Sequence, residues 1–374
     1  MASTSTVMAD APPRRRSGCR IVSTSLTARV LLANQLRSLN DIDWTVVSGD
    51  PYGDPPEGIE VEVIPIRREF APTDVGAFVQ LWRYLRRRRF DLVQTHTPKA
   101  SFLGLPAARL AGCPALYTIH GSLYFAGNGK RANLLGWCFE RWCCTWAHRV
   151  LVQSREDEAV LPKVRICSRS KLAYVGNGIV MDRFTAAVPA ALASERPIVM
   201  MISRLVREKG CTDFIELAAS LARRADFVHV GPFEHDQSDA LSEAEVAAAS
   251  ADGTVAFVGA VQDVRPYLAS AAVVVLPSYR EGIPRVAMEA AAMGRPVAAY
   301  DIRGVREVID PDVGLLAPRG DRVALTAVVE GLLKDPDRRS ELGAHCRRRA
   351  SRFSEDLVVE RLRANYRSVM REPV

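Results

Sequence analysis

One pattern runs twice along this 374-residue chain: short apolar runs of strand length alternate with segments whose apolar residues recur at helical spacing. In the first pass, Arg20–Val22, Trp44–Val47, Val61–Ile64, Leu92–Val93, Leu116–Ile119 and Val150–Val152 read as strands. Val75–Arg88 and Arg131–Ala147 read as helices between them. Runs without polar alternation are buried on both faces, so the pattern implies parallel strands covered by helices on both sides. It restarts at Ile198–Ile202, continues with a predicted helix over Glu208–Arg223, and adds strands at Phe227–Val230, Val255–Val258, Val273–Leu276 and Val297–Ala299. The Ala-rich, Pro-containing stretch Thr185–Glu195 reads as the connection. The fold class expected is α/β, with two Rossmann-like domains in tandem.

The expected boundaries are a disordered tail over 1–18, a first domain over 19–184, a second over 185–353 and a C-terminal helix over 354–374 that can cross back to the first domain. At about 100–200 residues per domain, the length agrees with two. No apolar stretch approaches the ~18–20 residues of a membrane span. In the tail, polar residues interrupt the apolar segment that a signal peptide requires, so a cytoplasmic location is expected. The eight cysteines show no C-x-x-C pairing, which points to reduced core residues rather than zinc or disulfides. Charge is uneven. Residues 1–178 carry 24 Lys and Arg against 15 Asp and Glu, whereas residues 179–374 carry 26 against 28. A basic first half suits an anionic surface or substrate, or is a solvated face. Nucleic acid is not expected, because no nucleic-acid motif is present and the cations are not interleaved with aromatics.

Doubly wound sheets bind ligands beyond the carboxyl ends of their strands, so chemistry is sought in the loops there. Two loops of the second half stand out. In Leu276-Pro-Ser-Tyr-Arg-Glu-Gly-Ile-Pro-Arg-Val-Ala-Met-Glu289 a buried strand gives way to a loop and then to a helix start, whose free N–H groups suit an anion. Glu281 sits in the loop, where it can accept from sugar hydroxyls. Glu289 lies one to two turns into the helix, within reach of a ribose diol. The plainer alternative makes them a first-turn carboxylate and an exposed helix residue. In Ile202-Ser-Arg204-Leu-Val-Arg-Glu-Lys209-Gly210, Arg204 and Lys209 can hold a diphosphate, one as a planar fork and the other as a point charge. A pair of solvated cations is the alternative there.

These two segments resemble the donor-site motifs of glycosyltransferase family 4, whose fold is GT-B: two Rossmann-like domains facing a central cleft. The similarity continues through Val258-Gly259, Asp301-Ile-Arg303-Gly304, Arg306-Glu307-Val308-Ile309 and Gly314-Leu315-Leu316. Asp91-Leu-Val-Gln-Thr-His-Thr-Pro-Lys99-Ala and Tyr117-Thr-Ile-His120-Gly resemble the branch that builds capsular and lipid-linked oligosaccharides. The resemblance implies that Arg204 and Lys209 bind the donor diphosphate, Glu289 the ribose and Glu281 the transferred sugar. It implies that backbone amides around Gly282, Ile283 and Arg285 line the donor pocket, and that His120 contacts the sugar or the reacting region. It also implies retention of anomeric configuration, no metal and no cofactor. Two features depart from the family pattern. The loop after the first strand, Ser23-Thr-Ser-Leu-Thr-Ala-Arg29, has no glycine, so Ser25 and Thr27 hydroxyls stand in for it. Val305 replaces a residue that is often polar in this branch.

On the acceptor side, His96 and Lys99 follow a strand and suit an acceptor phosphate; capping and solvation are the alternative. Asp41-Ile-Asp43 precedes a strand rather than following one, so no metal is expected there. His148, His229, His235 and His345 have no ligand spacing. Arg83 and Arg86–Arg89, together with Trp137, Phe139, Trp142 and Trp146, could seat the first domain peripherally on a membrane; a buried aromatic stripe is the bland alternative. The expected function is transfer from a nucleoside-diphosphate sugar, taken as a UDP-sugar, to a polyprenyl-linked or other glycan acceptor. A small soluble acceptor (aminocyclitol or nucleoside) is the alternative, and a sugar-nucleotide epimerase a more distant one. A dinucleotide-dependent oxidoreductase is disfavoured, since no G-x-G-x-x-G follows the first strand.

Overall fold

Each apolar run becomes a strand. The computed structural model describes residues 15–67, 69–125, 127–185, 187–190, 192, 194–234, 237, 239–251, 253–310 and 315–370. Residues 1–14 of the expected tail, His235 and Gly314 of the motif lie outside the described residues. The first sheet comprises β1 (Arg16–Ile21), β2 (Ile42–Ser48), β3 (Glu60–Val63), β4 (Leu92–Thr95), β5 (Ala115–Ile119), β6 (Arg149–Val152) and β7 (Leu172–Tyr174), in the order β3-β2-β1-β4-β5-β6-β7. The second comprises β8 (Ile198–Ile202), β9 (Asp226–Val230), β10 (Ala256–Gly259), β11 (Val273–Leu276), β12 (Val297–Asp301) and β13 (Leu316–Pro318), in the order β10-β9-β8-β11-β12-β13. The pairs β1–β2, β1–β4, β8–β9 and β8–β11 are all parallel. Both sheets therefore reverse their strand order beside their first strand. That is the topological switch point, where a crevice opens at the carboxyl ends.

Burial explains which strands sequence could show. The central strands β4, β5, β8 and β11 are buried at every residue. The edge strands β7 and β13 are three residues each and only partly buried, too short to be told from the loops around them, and escape the reading. Two expectations need correction. The tail does not reach residue 18: β1 begins at Arg16, because Arg16–Gly18 already pair with Ile42–Trp44. The helix expected over Glu208–Arg223 is broken. A single 3₁₀ turn, Arg207–Lys209, ends at Gly210 in the left-handed region (φ 76°), and the α-helix runs from Cys211 to Leu221.

Contacts divide the chain into two compact units. One is Met1–Thr118 with Arg141–Val150 and Arg363–Val374; the other is Ile119–Glu140 with Leu151–Leu362. The boundaries at 184 and 353 drawn from sequence are thus not the boundaries of contact. In the first unit, Tyr366 of the last helix, Glu355–Val369, is fully buried. Its hydroxyl accepts from Arg20 (3.0 Å) and donates to Gln94 (2.6 Å). The buried Arg20 guanidinium lies 4.6 Å over the Trp44 ring and also donates to Gln35 (3.2 Å). The two terminal nitrogens of this buried charge thus meet uncharged acceptors and its plane meets a π face, while Nε has no hydrogen-bond partner among the described residues. Asp41 pairs with Arg363 (3.1 Å) and Asp43 with Arg15 (3.2 Å), which accounts for the D-x-D carboxylates as ion pairs.

All eight cysteines are free, and only Cys138 is exposed. No helix among the described residues is long and apolar enough to cross a membrane. The aromatic stripe is neither wholly buried nor wholly free. Phe70, Phe102, Trp142 and Trp146 meet in sequence with ring centroids 5.1, 5.6 and 5.5 Å apart, the middle pair stacked and the outer two edge to face, leaving Phe70 62% and Trp142 41% exposed.

Candidate active site

The two loops singled out from sequence leave β8 and β11, the pair that flanks the switch point of the second sheet. They are locked to each other through backbone. A Cβ on residue 210 would overlap the Pro277 carbonyl oxygen, so glycine is required both for its left-handed φ and for the approach. The Tyr279 N–H donates to the Glu208 carbonyl at 2.9 Å. This crossing carries Lys209 to the second loop, where its Nζ lies 2.7 Å from Glu281 Oε1, with both side chains mostly buried. A cation and a carboxylate 72 residues apart in sequence thus converge at one strand-end crevice. Arg204, in the same first loop, turns to Glu234 at 3.1 Å.

After Glu281 the chain passes through Gly282, the buried Ile283 and Pro284 into the helix Arg285–Ala292. Glu281 is therefore a loop residue, not part of the first helical turn. Glu289 is 8% exposed rather than a surface residue. Burial pushes its carboxyl above the ordinary range, against the opposing pull of Arg285, 3.8 Å away, and of Arg183. Burial thus favours the neutral acid at this position.

Gly282 is pressed against the end of β5. A Cβ there would overlap the His120 carbonyl oxygen, and Gly304, after β12, crosses equally close over the Gly282 carbonyl. His120 is half-buried just beyond Ile119, so it stands at a strand end rather than in the core. Arg303 completes this junction. It pairs with the buried Asp157 at 3.0 Å and donates to the carbonyls of Ser122 (2.9 Å) and Tyr124 (3.3 Å). Burial pushes the Asp157 carboxyl upward, partly offset by Arg303. Beside the loop lies a cavity of about 270 Å³ lined by Phe125, Tyr279, Arg280, Glu281, Arg303 and Arg319 among others. A cavity of about 680 Å³, bordered by Pro197, Ile198, Ala272 and Pro296, sits at the opposite, amino-terminal ends of β8, β11 and β12. Ligand chemistry in doubly wound sheets belongs to the carboxyl ends, so the smaller cavity is the relevant one.

Sequence reasoning missed a buried polar cluster behind this loop. Both Tyr279 (2.7 Å) and Tyr300 (2.6 Å) donate to Asp213 Oδ2, while Arg322 donates to Oδ1 at 3.1 Å. Asp213 lies one residue after a threonine in a first helical turn, and nothing in its local sequence separates it from an ordinary capping residue. Only the fold brings two tyrosines to it.

In the first unit, the loops after β1 and β4 flank the corresponding switch point. Ser23 Oγ and Thr97 Oγ1 join them at 2.6 Å. Ser25 is buried and its N–H donates to Asp50 at 2.5 Å; the Thr27 hydroxyl meets Thr24 at 2.9 Å. The Thr24 and Thr27 side chains thus bond within the turn that opens the short helix Ser25–Thr27. His96 is buried, its N–H bonded to the Ile21 carbonyl at 3.1 Å. Lys99 is 4% exposed, paired with Asp74 (2.6 Å), donating to the Glu69 carbonyl (2.6 Å) and seated 4.2 Å over Phe70. Its charge is thus already compensated within the unit. Among the described residues, no three His, Cys, Asp or Glu side chains gather as a metal site.

Comparison with known proteins decides the class. The family described as "Glycosyltransferase Family 4" matches residues 30–183, and "Glycosyl transferases group 1" matches residues 196–335. The 2-deoxystreptamine N-acetyl-D-glucosaminyltransferase of Streptomyces fradiae is 30% identical over 308 residues, 76% of this chain and 72% of that protein. The chain belongs to glycosyltransferase family 4. A second relative of this enzyme spans nearly its whole length. It is the N,N'-diacetylbacillosaminyl-diphospho-undecaprenol alpha-1,3-N-acetylgalactosaminyltransferase of Campylobacter jejuni, 25% identical over 92% of this chain and 95% of its own. Among solved structures, Anabaena HepE in complex with UDP-glucose superposes with a TM-score of 0.79 at 18% identity, covering 94% of this chain and 99% of its own. The two parallel-sheet α/β domains are those of the GT-B fold, as the sequence resemblance implied.

Proposed function

We propose that this glycosyltransferase moves a sugar from a nucleoside-diphosphate donor, read as a UDP-sugar, to an acceptor hydroxyl with retention of anomeric configuration. The observation that carries the reading is Lys209 Nζ held 2.7 Å from Glu281 Oε1 beyond β8 and β11. That placement sets a cation for a diphosphate beside a carboxylate for sugar hydroxyls. In this reading Arg204 and Lys209 hold the diphosphate and stabilise its charge as the bond to the anomeric carbon breaks. Glu289 takes the ribose hydroxyls, and the amides of Gly282, Ile283 and Arg285 complete the donor pocket. His120 lies against the sugar. The acceptor oxygen bonds to the anomeric carbon on the face the diphosphate leaves, and the departing phosphate oxygen takes the acceptor proton. UDP is supported by the complex in which HepE was solved.

Two acceptor classes follow from the relatives. The Campylobacter enzyme, matched along almost its full length, acts on a diphospho-undecaprenol-linked sugar and supports a lipid-linked acceptor. Exposed Phe70 and Trp142, both of the first unit, would suit peripheral contact at the inner face of a membrane. The Streptomyces enzyme, more identical over a shorter span, supports a soluble aminocyclitol. A thermal-shift screen of nucleotide sugars tests the donor, because ligand binding to the native state raises its melting temperature. Product analysis with a polyprenyl-diphosphate sugar in detergent, against 2-deoxystreptamine in plain buffer, separates the acceptors. Conversion of the donor with no acceptor present would instead indicate an epimerase. Activity is expected to survive a chelator.

A further inference from the structure

We infer that a second, arginine-lined cavity in the unit Ile119–Glu140 with Leu151–Leu362, which shares Arg306 with the cavity beside the Glu281 loop, binds a phosphorylated anion carrying two or more charges. The cavity, about 380 Å³, is lined by Arg155, Arg306, Arg349, Arg352 and Arg361, with Tyr174, Phe353 and a single carboxylate, Glu307. Glu307 is already engaged by neutral donors. Its Oε1 accepts from the Tyr174 hydroxyl at 3.0 Å and its Oε2 from the Arg155 backbone N–H at 3.0 Å. Burial pushes the Tyr174 phenol up to about 12, so it remains a proton donor at any physiological pH.

Four of the five guanidinium groups are positioned in advance. Arg155 lies 3.6 Å over the Tyr174 ring and pairs with Glu158 at 2.7 Å. Arg349 donates to the Val308 carbonyl at 2.9 Å and meets Asp310 at 3.4 Å. Arg361 donates to the Val175 carbonyl at 3.3 Å. Arg306 pairs with Asp301 (2.7 Å) and Glu156 (3.3 Å). Those four carboxylates (Glu158, Asp310, Asp301 and Glu156) hold the forks but do not line the cavity. Arg352 is exposed and meets no carboxylate among the described residues. Five forks around one space match the several planar acceptor edges of a phosphate ester or diphosphate, which the point charge of lysine would match less well. The cavity of about 680 Å³ at the amino ends of the second sheet differs. Its Arg295, Arg339 and Arg347 each donate to a carbonyl at a helix C-terminus, from Ala269, Leu332 and Met293, and so offset helix dipoles.

Calorimetric titration of inorganic pyrophosphate into the full chain tests this. The parent protein is expected to bind it at the donor site as well as in this cavity, and the Arg204→Ala/Lys209→Ala variant, whose donor site is disabled, to retain the binding of this cavity. Arg352→Glu, a surface change introduced into that variant, is expected to weaken the retained binding about tenfold or more, as loss of a charged hydrogen bond and reversal of a charge imply. Unchanged affinity in Arg352→Glu, absence of binding to the parent, or loss of binding in the Arg204/Lys209 variant would each overturn the inference. The last result would place pyrophosphate in the donor site, and UDP affinity measured on the same variants tests that site separately. A parallel sedimentation with vesicles carrying phosphatidic acid identifies the source. Retention that is competed by pyrophosphate and lost in Arg352→Glu assigns a lipid headgroup; pyrophosphate binding without retention assigns a soluble phosphate ester.

Discussion

The carbonyl oxygen of His120 occupies the space in which a side chain at residue 282 would have to begin. The end of β5 and the loop after β11 therefore meet backbone to backbone, and a Cβ on residue 304 would overlap the Gly282 carbonyl oxygen. Because backbone cannot yield as the tip of a side chain can, Gly282→Ala must displace the loop that carries Glu281. We expect a loss of about 1–3 kcal/mol in stability, typical of overpacking, together with a fall in turnover larger than the fall in thermal stability accounts for. Calorimetric melting and steady-state kinetics on the same preparation check this. A variant with parental turnover would show that the close approach does not position the loop.

Lys209 and Glu281 make a partly buried ion pair whose members serve different parts of the donor in the proposed reading. Lys209→Ala is expected to weaken UDP binding by about 1–3 kcal/mol, the range for a charged hydrogen bond. Glu281→Gln is expected to lower turnover while leaving UDP affinity nearly parental, since UDP lacks the sugar. Titration with UDP and with the UDP-sugar distinguishes the two. Equal losses for both ligands in Glu281→Gln would contradict the assignment of Glu281 to the sugar.

Arg303 and Asp157 are a buried pair in which each partner depends on the other. Removing Arg303 alone leaves a carboxylate that burial already disfavours. Arg303→Ala is expected to cost about 3–5 kcal/mol, and Asp157→Asn in the same chain should recover part of that. Denaturant melts of the single and double variants measure the coupling; additive losses would mean that the two residues act independently.

Stability should depend on pH in two opposed ways. His229 is buried beneath Phe257 (ring centroids 5.7 Å apart), and desolvation lowers its pKa from 6.5 to about 4. The unfolded chain takes up that proton first. The contribution of neutral His229 is therefore complete above pH 6.5 and is lost as pH falls toward 4, about 3 kcal/mol in all. His229→Phe should flatten this acid limb in melts recorded against pH.

Glu289 has the opposite sign. Its folded pKa is raised above 4.5, so its contribution is complete below that value and lost as pH rises. Glu289→Gln should raise the melting temperature of the ligand-free protein at neutral pH, with the advantage vanishing toward pH 4.5, while weakening nucleoside binding. No pH dependence of the difference would show that the buried carboxyl is not strained.

The strands of the two sheets were legible because parallel strands between helical layers are apolar on both faces, and Ile198–Ile202 and Val273–Leu276 stand in the structure as read. β7 and β13 were not legible, since three residues are too short a segment to be told from an apolar stretch of loop. The broken helix before Cys211 was misread because helical periodicity continues across Gly210, and only the backbone contact with Pro277 demands the left-handed turn.

By itself, then, the sequence determined the alternation of elements, the restart at Ile198, the two loops with their charged residues and the family they resemble. These are properties of residue type and spacing along one segment. Tertiary structure alone decided that Lys209 meets Glu281 and not a phosphate-free solvent, that Glu289 is buried, and that Lys99 is spent on Asp74. It alone decided that Arg155, Arg306, Arg349, Arg352 and Arg361 surround one cavity. Each of these is a distance between residues far apart in the chain, set by strand order and by which backbones can approach, and neither quantity is written in any local pattern.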